Sequence, residues 1–341
     1  MLKQFGSLSN HLKRSQVKIQ DVARAAGVSI ATVSYVMNGT GRVSEKTAEK
    51  VRAVIKQLDY QPNQGAINLK FQRSKTIGWV LVLNRIPQAG DFWSPVISEI
   101  MYKATVVAHS RGYSMMLIPH DKPELIKQLN LDGVVLSNNY DDEPSFQYAH
   151  SLEIPVLTNE WYGNPPAAVN MDFGHRASTI AALNLLRDRG GKKIGLYTEL
   201  TDFTSDYQSE VAYLNWCEIN NHNPVVVRGA YDRSDIFECV TQLVEQGVDS
   251  IYSFYEHGPE ILEALSKLGK QVPEDILLIA NTQNNDEQNK NLGISSIIYH
   301  PTENIAEATN ALIDIIEGKQ IPPVSIKIPW ELNEYSSTQK I

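Results

Sequence analysis

Residues 19–38 read IQDVARAAGVSIATVSYVMN, a stretch spaced like two short helices that pack across a tight turn. The small side chain of Ala23 lets the second helix approach the first, and Gly27 suits a turn that needs positive φ. Ser29 precedes the second helix, where its hydroxyl can cap an exposed backbone N–H. Apolar contacts at helical spacing come from Val22, Ala26, Val33 and Val36. The pattern is typical of a DNA-reading helix-turn-helix, with an ordinary helical hairpin as the alternative.

Charge is distributed unevenly along the chain. Residues 1–75 contain thirteen Lys and Arg against four Asp and Glu, whereas the remainder contains 18 against 35. The formal net charge is therefore +9 for the first part and −17 for the second. This asymmetry indicates a polyanion-binding module attached to a globular body. The basic residues that surround the helical pair, and that would neutralise DNA phosphates, are Lys18, Arg24, Arg42, Lys46, Lys50, Arg52 and Lys56.

Length and composition restrict the class of protein. A chain of 341 residues is expected to form about two or three domains. The two cysteines, Cys217 and Cys239, show no metal-ligand spacing. The first residues, MLKQFGSLSNHLKRSQ, lack the apolar core of a signal peptide, and no run of about 18 apolar residues follows. We therefore expect a cytoplasmic protein with no membrane partner, no metal and no cofactor.

The remainder of the chain alternates between two kinds of pattern. Ser44 can cap a third helix in the head, which Pro62 ends, and residues 63–75 form a polar connector. Apolar runs predict buried parallel strands at 77–83, 113–118, 132–136, 154–158, 193–198, 224–228, 250–254 and 275–280. Helical patterns fall at 94–111, 143–151, 174–189, 205–220, 233–247 and 258–268. Two successive βαβ series predict two doubly wound lobes with a ligand cleft between them.

From about Val17 to its C-terminus the chain resembles the lac-repressor family of bacterial transcription regulators. The motifs that carry the resemblance are DVARAAGVSIATVSYVMNG (21–39), VSEKTAEKV (43–51), LDYQPN (58–63), SKTIG (74–78), RGYSMML (111–117), LDGVVL (131–136), VPEDILLI (272–279) and EGKQIPP (317–323). The resemblance implies an all-α helix-turn-helix head and a hinge helix. It also implies an α/β core of two doubly wound parallel-sheet lobes, like the periplasmic sugar-binding proteins, and homodimers on palindromic double-stranded operator DNA.

These patterns predict four segments along the chain. A flexible arm covers residues 1–16, the helix-turn-helix domain residues 17–62, and the hinge residues 63–75. The bilobed effector-binding and dimerisation domain covers residues 76–341. Its N-lobe is predicted at about 76–159 and 293–320, and its C-lobe at about 160–292 and 321–341.

The resemblance also implies how the head would read DNA. The second helix, about 30–38, would lie in the major groove, and base readout would fall to Ile30, Ala31 and Tyr35. Tyr35 cannot form the bidentate fork that Arg makes to guanine, so we expect thymine-methyl contacts and a different operator. Phosphate contacts are expected from Ser29, Thr32, Ser34 and Asn38. The hinge matches NQGAINLKF (63–71), where Asn63 is a further DNA contact and Leu69 is the wedge inserted into the minor groove.

The same resemblance implies an effector pocket, although several of its positions depart from the family. Asn159 and Glu160 stand where an Asp-Arg pair is expected, and Asn281-Thr282-Gln283 replaces the usual Phe-Asp-Asp. No cationic clamp is visible, which argues against a phosphorylated or carboxylated ligand. The candidate effector-binding residues are Phe92, Trp93, Asn138, Asn159, Glu160, Trp161, Asp172, Tyr207, Ser209, Tyr255, Glu256, Thr282 and Gln283.

The preferred interpretation is a repressor of a carbohydrate-utilisation operon, controlled by a small molecule such as a sugar. The alternative is a regulator whose divergent pocket responds to a partner protein or to no ligand. An architectural DNA-bending protein and a sugar-binding protein are weaker alternatives. An enzyme is not expected, because the sequence contains no GxGxxG after the first strand, no GxxxxGK[ST], no GxSxG and no HExxH. Isolated histidines such as His175 and His257 are interpreted as surface or core groups.

Overall fold

The structure is a computed structural model that describes residues 17–38, 43–60, 73–81, 95–137, 143–200, 203–230 and 233–339. It divides into two compact units, Met1–Gln72 and Arg73–Ile341. Some predicted features lie outside the described residues, namely the arm 1–16, most of the hinge, and the site residues Asn63, Leu69, Phe92, Trp93 and Asn138. Asn38 belongs to a described helix, but its side chain is outside the description.

The head contains three helices, α1 (Ile19–Ala26), α2 (Ile30–Asn38) and α3 (Glu45–Gln57). Val22, Ala26, Val33 and Val51 are fully buried between them, as the apolar spacing predicts for the first three. Gly27 ends α1 with φ of 64°, which confirms the predicted left-handed turn. The turn is closed by the N–H of Val28, which donates to the carbonyl of Ala23 at 3.0 Å.

The body is built on two six-stranded sheets. The strands of the first sheet are β1 (Thr76–Leu81), β2 (Ser114–Pro119), β3 (Gly133–Leu136), β4 (Val156–Asn159), β5 (Val169–Asp172) and β11 (Val324–Lys327). They are all parallel, in the order β11-β5-β4-β3-β1-β2. The strands of the second sheet are β6 (Ile194–Glu199), β7 (Val225–Gly229), β8 (Ser250–Ser253), β9 (Leu277–Gln283), β10 (Ser295–Tyr299) and β12 (Trp330–Asn333). Their order is β12-β10-β9-β8-β6-β7, and β12 alone of these six runs antiparallel to its neighbour.

Helices alternate with these strands, as the βαβ patterns predict. They are α4 (Pro95–Ser110), α5 (Leu125–Gln128), α6 (Pro144–Ser151), α7 (His175–Asp188), α8 (Thr204–Ile219), α9 (Ile236–Glu245), α10 (Gly258–Lys267), α11 (Glu287–Leu292) and α12 (Pro301–Ile316), with a 3-10 turn at Ser336–Thr338. Each sheet has an apolar core on both of its faces. None of the helices in the described part of the chain is long and apolar enough to span a bilayer.

The sheet pairing differs from the predicted lobe boundaries at three places. β5 pairs with β4, so residues 169–172 belong to the first lobe and not to the C-lobe. β10 pairs with β9, so residues 295–299 belong to the second lobe, and β11 pairs with β5 in the first. The chain therefore crosses between lobes after β5, after β10 and after β11. Strand partners are chosen by long-range hydrogen bonds, which the local apolar pattern does not report.

The three crossovers lie side by side. The N–H of His300 donates to the carbonyl of Pro329 at 3.1 Å, and the N–H of Ile328 donates to the carbonyl of Asp172 at 2.8 Å. Three adjacent connections between two sheets form a crossover region about which the two lobes can rotate. In open α/β sheets, ligands bind at the carboxyl ends of the strands, which here lie on either side of this crossover region.

Candidate functional sites on the head and in the body

The start of α2 is held by two hydroxyl groups. The N–H of Thr32 donates to Ser29 Oγ at 3.1 Å, which confirms the predicted cap. The Ser29 and Thr32 hydroxyls are also hydrogen-bonded to each other at 2.9 Å. The first turn of α2 is therefore fixed before it meets any DNA.

The outer face of α2 presents the side chains that were predicted to read bases. Ile30 and Tyr35 are 46% and 48% exposed, and Ala31 is exposed between them. Val33 points the other way and is fully buried. Ser34 is half-buried. The exposed surface of this helix is thus mainly apolar, with one phenol hydroxyl and no guanidinium.

Basic side chains are exposed at the N-terminal cap of α1, on α1 and on α3. Lys18, Arg24, Lys46, Lys50, Arg52 and Lys56 are all exposed. Two of them also take part in surface ion pairs, Arg24 with Asp21 at 3.5 Å and Arg52 with Glu45 at 3.0 Å. Surface pairs of this kind contribute little to stability, so their partners can be exchanged for phosphates at low cost.

In the body, the carboxyl end of β4 places Glu160 against the second lobe. Glu160 is buried and has φ of 50°. Its Oε1 accepts from the N–H of His175 at 3.4 Å, and its Oε2 lies 3.5 Å from His175 Nε2. Burial raises the pKa of Glu160 to about 8 and lowers the pKa of His175 to about 3, so both side chains are neutral at pH 7. Glu160 follows a strand of the first lobe and His175 begins α7 of the second lobe. The contact between them therefore bridges the two lobes at the crossover region.

Two other predicted site residues near the crossover region are hydrogen-bonded to groups of the protein itself. Trp161 is buried and stacks on Phe146, with ring centroids 3.9 Å apart, and its Nε1 donates to the carbonyl of Pro165 at 2.8 Å. Its indole is therefore used for packing inside the first lobe. Asp172 Oδ1 accepts from the N–H of Gly174 at 3.0 Å and turns the chain into α7. Asn159 is half-buried at the end of β4.

In the second lobe, a buried carboxylate lies at the start of α8. Asp206 Oδ1 accepts from the Thr198 hydroxyl at 3.1 Å, and its Oδ2 accepts from the Tyr255 hydroxyl at 2.8 Å. This network joins the predicted site residue Tyr255 to the end of β6. Tyr207 is exposed on the same helix, whereas Ser209 is buried.

The end of β9 carries the remaining predicted residues. Asn281 is buried, and it accepts from the Tyr252 hydroxyl at 3.1 Å and donates to the carbonyl of Phe254 at 2.8 Å. It therefore braces the ends of β8 and β9. Thr282 is half-buried, and Gln283 is exposed, as is Glu256 in the loop before α10.

Sequence reasoning missed a second buried carboxyl–imidazole pair, Glu199 with His257. His257 Nε2 lies 2.6 Å from Glu199 Oε1, and both side chains are 2% exposed. Burial raises the pKa of Glu199 to about 9 and lowers that of His257 to about 3. A signal was available, because Glu199 is the last residue of its strand and His257 precedes the helix after a neighbouring strand. Both positions lie at the ligand-binding edge of the sheet.

The carboxyl ends of the strands in the body carry hydrogen-bond acceptors and aromatic rings. Carboxyl groups come from Glu160, Asp172, Glu199 and Asp206. Among the described residues there is no group of three or more His, Cys, Asp or Glu placed to hold a metal ion. The arrangement suits a ligand that donates hydrogen bonds.

Comparisons with known proteins agree with this architecture. The family model described as bacterial regulatory proteins, lacI family, matches residues 18–63, and the model for a periplasmic binding protein-like domain matches residues 183–338. The repressor PurR of Haemophilus influenzae is 29% identical over 276 residues, covering 76% of this chain and 80% of its own. The regulator pepR1 of Lactobacillus delbrueckii subsp. lactis is 25% identical over 347 residues, covering 96% and 99%.

Solved structures share the fold over most of the chain. The lac repressor dimer bound to operator and the anti-inducer ONPF aligns with a TM-score of 0.77 at 19% identity, covering 95% of this chain and 99% of its own. The regulator CelR in complex with cellobiose aligns with a TM-score of 0.65 at 22% identity, covering 94% and 99%. The head and body thus match the two parts of one architecture. The chain belongs to the lacI family of bacterial regulatory proteins and is a DNA-binding transcriptional regulator.

Proposed function

We propose that this regulator is a repressor that binds a palindromic operator as a homodimer and is controlled by a small molecule bound between its lobes. The observation that carries the DNA-binding part is the exposed face of α2, formed by Ile30, Ala31 and Tyr35 on a helix whose start is already fixed. The effector is proposed to be a carbohydrate, and the regulated genes a carbohydrate-utilisation operon.

Operator recognition follows from the chemistry of that face. Ile30 and Ala31 offer apolar surface to thymine methyl groups, and Tyr35 adds a ring and one hydroxyl. Ser29, Thr32, Ser34 and Asn38 are proposed phosphate contacts, and Asn63 and Leu69 are proposed contacts of the hinge. The exposed Lys and Arg side chains of the head supply affinity that does not depend on sequence.

Dimerisation is proposed through the outer face of the first lobe. Tyr102 and Val106 on α4, and Met116 and Leu117 on β2, are large apolar side chains left exposed. β2 is the last strand of its sheet, so these residues form one edge of the lobe. An exposed apolar edge of this kind is typical of an interaction surface.

For the effector, the strand ends favour a neutral or donor-rich ligand. Asp206 accepts a hydrogen bond from the Tyr255 hydroxyl. Carboxyl groups at this edge of the sheet can accept hydrogen bonds from the hydroxyl groups of a ligand in the same way. The fold is shared with CelR, which was solved with cellobiose. A purine is the second candidate, because the relatives at 28–29% identity carry the name PurR.

The DNA-binding proposal is tested by selecting genomic fragments on the full-length protein and measuring their affinity against random competitor DNA. We expect one palindromic site to be preferred. Tyr35→Ala should weaken that site by roughly tenfold or more, since one good base contact contributes about 1–3 kcal/mol. Affinity for random DNA should stay unchanged. Phe237→Ala, at an exposed aromatic residue of α9, is the matched control and should bind as the wild type does. Equal affinity for all fragments would indicate an architectural DNA-bending protein instead.

The effector proposal is tested by adding compounds to the protein–operator complex and to the free protein. Glucose, galactose, maltose and cellobiose form the first panel, and hypoxanthine, guanine and adenine form the second. A shift in melting temperature together with changed operator affinity for a sugar supports the proposal. A response to purines alone would replace the carbohydrate by the second candidate. A response to neither panel would favour control by a partner protein or by no ligand.

A further inference from the structure

We infer that Glu199 and His257 form a subsite that binds a cationic amino group, so that the effector is an amine and not a simple neutral sugar. This inference rests on the proposed control of the regulator by a small molecule. It concerns a pair that none of the predicted site residues includes.

The pair lies at the carboxyl edge of the second sheet. Glu199 ends β6, and His257 stands immediately before α10, which follows β8. β6 and β8 are neighbours in the second sheet, with Tyr197 opposite Ser253. Both residues therefore occupy the carboxyl edge of adjacent parallel strands, the edge that binds ligands in this architecture.

The pair has polar atoms that no group in the described part of the chain satisfies. Nε2 of His257 and Oε1 of Glu199 satisfy each other at 2.6 Å. Glu199 Oε2 and His257 Nδ1 are buried and have no hydrogen-bond partner among the described residues. The hydroxyl of Tyr197, whose ring meets the His257 ring edge-on at 5.7 Å, also has none there. Buried polar atoms are normally satisfied, so three open ones together point to a group supplied from outside the chain.

The charges around Glu199 favour a cation. The carboxylates that act electrostatically on Glu199 are Asp206 on α8 and Asp235 before α9. Glu256 precedes His257 in the chain, and Glu260 lies in the first turn of α10. Among the described residues, the cation that acts on the pair is Arg233, whose guanidinium donates to Glu260 Oε1 at 3.0 Å. Asp206 and Asp235 already accept hydrogen bonds through both of their oxygens. Glu199 and Glu260 each keep one oxygen without a hydrogen-bond partner among the described residues, but Glu260 is already paired with Arg233 through its other oxygen. Of these two carboxyl groups, Glu199 is the one that is not yet paired with a cation.

Aromatic rings complete the surroundings. The Tyr255 ring is stacked on the His257 ring, with centroids 5.7 Å apart and planes inclined by 12°. Tyr197 approaches the same imidazole from its edge. Tyrosine faces attract an ammonium group through their quadrupole, and carboxylates attract it through charge. A neutral hydroxyl group would gain a hydrogen bond to a carboxylate but neither the charge–charge nor the cation–π attraction.

Binding of an ammonium group should displace one proton. Burial, and then the nearby Asp206, raise the pKa of Glu199 to about 9, so this carboxyl group is neutral at pH 7.5. An ammonium group at hydrogen-bond distance favours the carboxylate. The proton leaves Glu199 for the solvent, while His257 stays neutral because burial lowers its pKa to about 3.

The test is isothermal titration calorimetry on the full-length protein at pH 7.5, in phosphate and in HEPES, which differ in ionisation enthalpy. The probes are two matched pairs, glucamine with sorbitol and putrescine with 1,4-butanediol. We expect at least one amine to bind on the order of tenfold more tightly than its hydroxyl partner and to release about one proton. Glu199→Gln keeps the side-chain size and can donate its amide N–H to His257. This variant should weaken amine binding on the order of tenfold and abolish proton release.

The matched control is Glu143→Gln. Glu143 is also buried, and its Oε1 lies 3.1 Å from Nδ1 of His120. Its Oε2 has no hydrogen-bond partner within the described part of the chain, but Glu143 belongs to the first lobe. Its replacement should leave amine binding and proton release unchanged. Equal binding of amine and hydroxyl probes, or proton release that survives in Glu199→Gln, overturns the inference. If sugars alone bind and alter operator affinity, the amine subsite is refuted and the proposed function stands. If none of the four probes binds, the amine subsite is refuted, and the proposed function is decided by the sugar and purine panels alone.

Discussion

Replacing Glu317 by Gln should destabilise the body in a pH-dependent way, because this carboxylate joins three cations. Glu317 follows α12 and is 16% exposed. Its Oε1 accepts from Lys75 Nζ at 3.0 Å, and its Oε2 accepts from Arg111 at 2.9 Å and from Lys319 at 2.6 Å. Lys75 also lies 4.1 Å from the centre of the Tyr113 ring. The network thereby ties the first residues of the body to the ends of α4 and α12.

The size of the expected loss of stability follows from the lowered pKa of Glu317. Burial opposes ionisation of Glu317, but the hydrogen bonds from Lys319, Lys75 and Arg111 outweigh it and lower the pKa from 4.5 to about 2. A fall of this size corresponds to about 3 kcal/mol of stabilisation at neutral pH. Lys319 is largely exposed, and solvent screens part of its contribution, so we expect about 2 kcal/mol.

The sign of the pH dependence is fixed by the direction of the shift. Because the pKa is lower in the folded protein, the stabilisation is fully present above pH 4.5 and is lost as the pH falls towards 2. Urea unfolding, followed by circular dichroism and tryptophan fluorescence, should show a loss of about 2 kcal/mol for Glu317→Gln at pH 7. At pH 3 the difference from the wild type should be less than that at pH 7.

A surface pair provides the control. Glu263 on α10 pairs with Lys267 at 2.7 Å, with both side chains mostly exposed, and Glu263→Gln should leave the unfolding midpoint unchanged. If Glu317→Gln behaves as Glu263→Gln does, or if its effect is the same at pH 3 and pH 7, the electrostatic explanation is wrong.

Three further predictions concern the head and the first lobe. Ser29→Ala should destabilise the head by about 1 kcal/mol, seen as faster amide hydrogen exchange in α2, because the N–H of Thr32 loses its acceptor. Trp161→Ala should cost about 3–5 kcal/mol in urea unfolding, since the indole fills the core against Phe146, and a loss of effector affinity without a loss of stability would contradict this. Operator affinity should fall about a thousandfold between 50 and 200 mM salt, measured by fluorescence anisotropy, and a flat salt dependence would show that the basic head does not contact phosphates.

The head could be predicted almost entirely from the sequence, because its determinants act over a few residues. The helix-turn-helix spacing, the left-handed Gly27 and the caps at Ser29 and Ser44 all appear in the structure as expected. Tyr35 is exposed, as its predicted place on the reading face of the second helix requires. Hydrogen bonds between residues three or four apart, and apolar side chains at helical spacing, are encoded within one or two turns of chain.

The body was predictable in its alternation of strands and helices but not in how its strands divide between lobes. β5 carries polar Asn170 and Asp172 and is too short to stand out as an apolar run. Its place in the first sheet comes from pairing with β4 and β11. Apolar content identifies a buried strand, whereas the identity of its neighbour is a long-range property.

By itself, the sequence determined the class of this protein: a basic helix-turn-helix head, an acidic bilobed α/β body and a reading face without arginine. Only the tertiary structure decided which buried polar groups meet. Glu199 and His257 are 58 residues apart, and Lys75 and Glu317 are 242 residues apart. A helix cap depends on neighbours along the chain, but a buried carboxyl group acquires its partner and its pKa only when distant strand ends are brought to one edge of a sheet.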